Sequence, residues 1–391
     1  MPSITSSLVE DLSMRVGICG LGDRMGYLAN VFPKVIPDFN LVAYADPSPT
    51  GFRRLSQDQI RKMNSYENLQ PMLDKENLDL VMIGSPNLFH CDQLCTALDN
   101  GLKIFCEKPI VTTEDETFRL LAELRKHGSD QVMVGLVLRY APLYQDLVEL
   151  AQGDKLGSII SIEASEHIPP VHGAFFFRDW RRKTSMSGGF MLEKCCHDLD
   201  LYAGLVQARP RKVASFGGRS FFDEQNKDLD GEHVYNRWPA TWNRTESSFS
   251  GDTDIVDHQV ALIEYCNGVR LCFHTNVHTP DAFRRFCVIG SKGMAEGDFV
   301  RGFLKVHNAI SRECILDSSY KNEGMSMHYG AEEKMANDLS EHLYKGTPLP
   351  VSVLDALEAG LTAIKIDQSR ESGQVLDLTE LWQRFDTTVG L

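Results

Sequence analysis

Hydrophobic positions along the chain keep two different rhythms. Over roughly the first 140 residues they come as short unbroken runs: Arg15–Cys19, LVAYAD ending at Asp46, LDLVMIG (78–84), KIFCE (103–107) and QVMVGLVL (131–138). Helix-forming stretches at about 51–63, 88–100 and 114–127 lie between them. Unbroken runs suit strands buried on both faces, and their alternation with helices predicts a doubly wound parallel sheet in an α/β fold. After residue 150 the runs become β-branched and aromatic-rich: GSIISIEASEH, RKVASFGGRSF, DIVDHQVALIEYCNGVRLCFHTNV and RRFCVIGSKGMAEGDF. Asn267-Gly268, between two of these runs, predicts a two-residue hairpin turn, and Ser291-Lys292-Gly293 a second turn. The boundary is placed at 1–138 and 139–391, because a chain of 391 residues exceeds one compact core.

Ligands of parallel sheets sit at the carboxyl ends of the strands. The first predicted strand runs into GLGDRMGYLA. Gly20 permits a tight turn, and Gly22 lets the backbone approach a pyrophosphate. The amides of Asp23, Arg24 and Met25 then open a helix toward that negative charge. Met25 occupies the third glycine's usual place and Gly26 follows it. Asp46, at the tip of the second run, can accept hydrogen bonds from a ribose 2′-OH and would repel a 2′-phosphate, which favours NAD over NADP. Arg53 and Arg54 lie near enough to oppose that preference. Ser85, Pro86, Asn87 and His90, and then Glu107 and Lys108 before Pro109, fall at two further strand ends. They complete the cofactor candidates.

Charge narrows the partners. A formal net charge of −14 argues against nucleic acid, which requires a basic face. No apolar run is long enough to span a bilayer. The opening MPSITSSLVEDLSM lacks the features of a secretory signal. The ten cysteines form no tight framework, so buried thiols in a reducing cytoplasm are expected.

The segment SGGFMLEKCCHDLDLY (187–202) carries the densest chemistry. Glu193 and His197 are four apart and share one face if the segment is helical. Adjacent Cys195 and Cys196 would point about 100° apart, a poor arrangement for one metal ion with His197, and no metal is expected. Together, GLGDRMG, SPNLFH, ALDNGLKIFCEKPI and SGGFMLEKCCHDLD resemble the glucose–fructose oxidoreductase/inositol dehydrogenase/rhizopine-catabolism (Gfo/Idh/MocA) family, over about residues 14–370. The resemblance implies a Rossmann domain followed by an α/β domain with a large, mainly antiparallel open sheet, whose exposed face makes subunit contacts in a homodimer or homotetramer. It also implies His197 as general base, Lys108 as its positioning cation and Glu193 as the carboxylate that orients the histidine. Asp200 matches an acidic position near the substrate. The sequence departs from the family pattern, which has aspartate at 193, an apolar residue at 194 and glycine at 195. Lys194 either adds a second cation or faces solvent, the latter being preferred.

Family members carry a Trp-Arg loop over the site, matched here by HIPPVHGAFFFRDWRRKTSMSGG. Arg139, His172, Arg178, Trp180, Arg181 and Lys194 join Lys108, Glu193 and His197 as candidate substrate contacts. A tryptophan suits a sugar face, and arginine forks suit an anionic group. These residues suggest an NAD-dependent oxidoreductase acting on a ring secondary alcohol of a sugar, glycoside or cyclitol. An NAD-recycling glycoside hydrolase would use the same machinery plus a second base, with Tyr140, His172 and Lys194 as candidates. A non-catalytic NAD-binding sensor is a third possibility.

Overall fold

The computed structural model describes residues 13–321 and 328–390. Strands β1 (Met14–Cys19), β2 (Phe39–Ala45), β3 (Asn64–Tyr66), β4 (Leu80–Ile83), β5 (Lys103–Cys106) and β6 (Val132–Val134) form a parallel sheet in the order β3-β2-β1-β4-β5-β6. Val81, Met82, Ile83 and Ile104 are fully buried, as unbroken apolar runs covered on two faces require. The order reverses between β1 and β4, which places a crevice at their carboxyl ends. The run 131–138 is strand only in its first half. Residues Val137–Tyr140 turn into a 3-10 helix that leads the chain out of the sheet.

The second sheet follows the order β14-β13-β12-β11-β7-β10-β9-β8-β15. Its strands are β7 (Ile159–His167), β8 (Pro210–Gly218), β9 (His258–Tyr265), β10 (Arg270–Asn276), β11 (Phe283–Gly290), β12 (Gly293–Asp298), β13 (Phe303–Asn308), β14 (Cys314–Ser319) and β15 (Leu376–Asp377). Only the β7–β10 pair is parallel. In β9 and β10 buried and open positions alternate strictly, so one face is packed and the other is not. The β9–β10 turn is wider than the predicted two residues. Tyr265 N–H donates to Val269 O, and Gly268 stands at φ +86°, the mark of a three-residue loop closed by a glycine bulge.

The helix Phe190–Val206 covers the packed face and is itself packed by the helix Val353–Ser372. The C-terminal helix Thr379–Val389 returns to the helix Glu114–His127 of the first domain. No described helix is long and apolar enough to cross a membrane.

Candidate active site

The cofactor side of the crevice is built from backbone. Gly20 has φ +84°, and a Cβ there would lie 2.2 Å from Ser85 N, so only glycine lets the β1 and β4 loops meet. A Cβ on Gly22 would meet nothing within 4 Å, and the helix Asp23–Val31 has no side-chain cap. Its first amides therefore face open space, the room and polarity a pyrophosphate requires. Gly26 answers the displaced third glycine: a Cβ there would lie 2.5 Å from Gly51 O, so this residue permits the helix to meet the 50–54 turn.

Asp46 ends the second strand with Oδ1 accepting from Ser48 N at 2.7 Å. Arg53 and Arg54 both donate to Asp23, at 2.9 and 2.8 Å, and are thereby occupied away from Asp46. The side chains of Asp23 and Arg24 are likewise committed. Arg24 donates through Nε to Glu107 at 2.9 Å and through Nη1 to Glu332 at 3.0 Å, while its buried Nη2 has no hydrogen-bond partner among the described residues. Glu107 is a strut for that arginine. Asn87 is buried and donates to Ser187 O and Glu193 Oε2, at 2.9 and 2.6 Å, and thus braces the neighbouring helix instead of projecting into the crevice. His90 is fully enclosed, its nitrogens 2.7 Å from Pro109 O and 2.8 Å from Ser85 O. It ties the two strand ends together, and burial holds its pKa below the ordinary value.

The second wall begins with the helix Phe190–Val206. Gly188 and Gly189 enter it at φ +81° and +93°, which aims its first turn at the end of β5. Lys108 Nζ donates to Glu193 O at 2.7 Å. His197, one turn further along, is 4% exposed, and its Nδ1 has no hydrogen-bond partner among the described residues. Burial, together with the charges of Lys108 and Arg284, drives its pKa well below the ordinary histidine value. Lys108 and His197 are thus brought together as expected.

Glu193 does not orient His197. Its Oε1 accepts from Arg181 Nε at 2.7 Å and its Oε2 from Asn87. Burial raises its pKa, but Lys108 and Arg181 outweigh that and hold the group ionised.

Lys194 turns inward rather than to solvent. Its Nζ lies 3.0 Å from Glu166, which also meets Arg284 at 3.2 Å, and Arg284 forks onto Asp198 at 2.8 and 2.6 Å. Two cations and two carboxylates, closely matched, bolt the helix to β7 and β11. Arg284 and Glu166 escaped the sequence reading. The only signal was a charge on the inward phase of each strand.

Other substrate candidates are structural. Arg139 grips Asp200 through two 2.7 Å bonds, which uses up both residues. Trp180 is buried beneath Arg181, whose guanidinium lies 4.3 Å from its ring, so it cannot offer a face to a sugar. Arg178 donates to Trp238 O. His172 stands between Phe176 and Trp238, at 5.3 and 4.9 Å, and burial with the Lys194, Arg181 and Lys108 charges keeps it neutral. Cys195 faces Thr275 while Cys196 borders Lys108, so the pair diverges.

This crevice, between a glycine loop and the pair of Lys108 after β5 and His197 on the helix Phe190–Val206, defines a dinucleotide-dependent oxidoreductase. Residues 14–136 match the family described as "Oxidoreductase family, NAD-binding Rossmann fold", and residues 144–296 match the GFO/IDH/MocA C-terminal domain. The chain belongs to the GFO/IDH/MocA family. The Bacillus subtilis protein YteT is 24% identical over 353 residues, 78% of this chain and 81% of that protein. The myo-inositol 2-dehydrogenase structure from Lactobacillus plantarum superposes with TM-score 0.71 at 19% identity, over 93% of this chain and 99% of that one. A levoglucosan dehydrogenase in complex with NADH and levoglucosan gives 0.74 at 18%, over 94% and 100%. At such identities these two structures speak for the fold.

Proposed function

We propose that the protein is an NAD-dependent dehydrogenase that oxidises a ring secondary alcohol of a sugar, glycoside or cyclitol. The observation that carries this reading is a buried, neutral His197 beside the Lys108 ammonium at the carboxyl edge of the parallel sheet. Bound NAD supplies the hydride acceptor. Lys108 donates to the substrate hydroxyl and favours its ionised form. His197 removes the proton; its Nδ1 is enclosed, which leaves Nε2 to receive it. A neutral imidazole suits that step. Glu193 fixes Arg181 and Asn87, and so holds the helix start against the cofactor loop. Asp46, with Arg53 and Arg54 occupied by Asp23, supports NAD over NADP. The dehydrogenases of inositol and levoglucosan among the structural neighbours suit a polyhydroxylated ring.

The test is NADH formation across a panel of sugars, methyl glycosides and inositols, with Lys108→Ala and His197→Ala as controls. Both variants are expected to bind NAD and to turn over at least about 100-fold more slowly. Retained activity in both variants would overturn the assignment.

His172 supports a second reading, the NAD-recycling glycosidase. Of the three candidate second bases, Tyr140 is sealed in the core and Lys194 is paired, whereas His172 is neutral and partly exposed beside the site. Aglycone release without net NADH would select that reading. A homo-oligomer through the open sheet face is also proposed, since Phe216, Ile160 and Leu262 stand 53–70% exposed there. Size-exclusion chromatography with light scattering on Leu262→Glu tests it.

A further inference from the structure

The segment between β8 and β9 contains a strap, residues 238–243, that crosses the mouth of the crevice. Its anchors are charged and specific. Arg178 donates to Trp238 O and Arg182 to Asn243 O. Asp179 Oδ2 accepts from Thr241 N and Oγ1, at 3.0 and 3.1 Å. Asp179 is fully buried, and its Oδ1 accepts from Arg181, which holds Glu193. Arg178, Arg181 and Arg182 therefore fix this strap beside the helix that carries Glu193 and His197.

The strap presents two indoles. Trp238 packs at 4.9 Å on His172, and Trp242 at 6.0 Å on Phe89 of the cofactor domain. Each remains 40% exposed, whereas Trp180 and Trp382 are buried at 5%. Arg237 and Arg244 lie exposed beside them. Broad apolar faces edged by hydrogen-bonding groups match a pyranose ring, which is apolar on its C–H face and polar around its rim.

Resting on the dehydrogenase reading, we infer that Trp238 and Trp242 form an outer subsite for a second pyranose ring, so that the substrate is a glycoside carrying a further sugar. The oxidised ring lies against Lys108 and His197, and its neighbour lies on the strap.

The test is a fluorescence titration of the NAD-loaded protein, since two of the chain's four tryptophans are exposed here. Methyl pyranosides, the corresponding disaccharides and 4-nitrophenyl pyranosides of gluco, galacto and manno configuration are the probes. One disaccharide series is expected to bind about tenfold more tightly than its methyl pyranoside, with the advantage lost in Trp238→Ala and Trp242→Ala. NAD affinity of both variants should be unchanged, which shows that they fold. Equal affinity for methyl pyranosides and disaccharides would overturn the inference, as would an advantage that survives both substitutions. An advantage confined to nitrophenyl pyranosides would also overturn it, because the subsite would then read an aryl group. A disaccharide preference without NADH formation would keep the subsite and sink the dehydrogenase.

Discussion

The two walls of the crevice are made in different ways. The cofactor wall is local: two short loops, 20–26 and 84–87, whose backbone does the work and whose glycines allow close approach. The substrate wall is assembled from distant parts of the chain: Lys108, His172, the 178–182 cluster, His197, the 238–243 strap, and Arg284 with Glu166. Its side chains hold one another through charge. A local wall tolerates change in surrounding side chains, because amides remain wherever the turn forms. An assembled wall fails when one partner is removed, because the others are left buried and unpaired.

The largest contrast should come from His197→Ala. Loss of the base lowers kcat by ~10²–10⁴-fold. NAD binding, measured by calorimetry, stays intact, because that wall does not contain the histidine.

Arg284→Ala comes next. It leaves Glu166 and Asp198 with only Lys194 nearby, and stability measured by urea unfolding is expected to fall by about 3–5 kcal/mol. A loss comparable to that of an ordinary surface arginine would show that the network is not what holds the helix to the sheet.

Histidine protonation provides a graded test. His197 and His172 are held well below the ordinary value near 6.5, and His328 at about 4, in each case chiefly by burial. Below about pH 6.5 the unfolded chain takes up protons that the folded chain refuses, so stability should decline from pH 7 to pH 5. Neutral His197 remains a competent base over the same range. The acid limb of kcat/KM should therefore lie below 6.5, and a limb at 6.5 would mean that His197 is not enclosed. Thermal unfolding and a pH–rate profile measure the two.

The smallest effect is expected at Asp46. Asp46→Ala should narrow the preference for NAD over NADP by about tenfold, or ~1.4 kcal/mol, with little effect on kcat. Competitive cofactor titration reads it. An unchanged ratio would assign discrimination to another group.

What could be read early follows the same division. The strands, the glycine loop and Asp46 lie in contiguous stretches where spacing carries the geometry, and Lys108 and His197 lie in short motifs that the family resemblance picks out. The helix Glu114–His127 forms over the predicted residues, since Thr113 caps it and acidic and basic residues fill its first and last turns. The roles given to Glu193 and Arg139 turned on partners far along the chain, Asn87 and Asp200, and those given to Lys194 and His90 on Glu166 and on Ser85 with Pro109 across neighbouring elements; no local pattern reveals those pairings. Asp179 shows the difficulty: beside three basic residues it reads as a surface ion pair, yet it is the buried pin of the strap.

By itself, then, the sequence determined the α/β architecture with its two kinds of sheet, because periodicity and turn chemistry act over a few residues, and the resemblance of its motifs pointed to the family and to Lys108 and His197. Tertiary structure decided which charges are free and which are spent. A buried ion must find its opposite wherever the fold brings one, and that choice left His197 Nδ1 without a hydrogen-bond partner among the described residues while it tied the arginines to a strap and raised two tryptophans at the mouth.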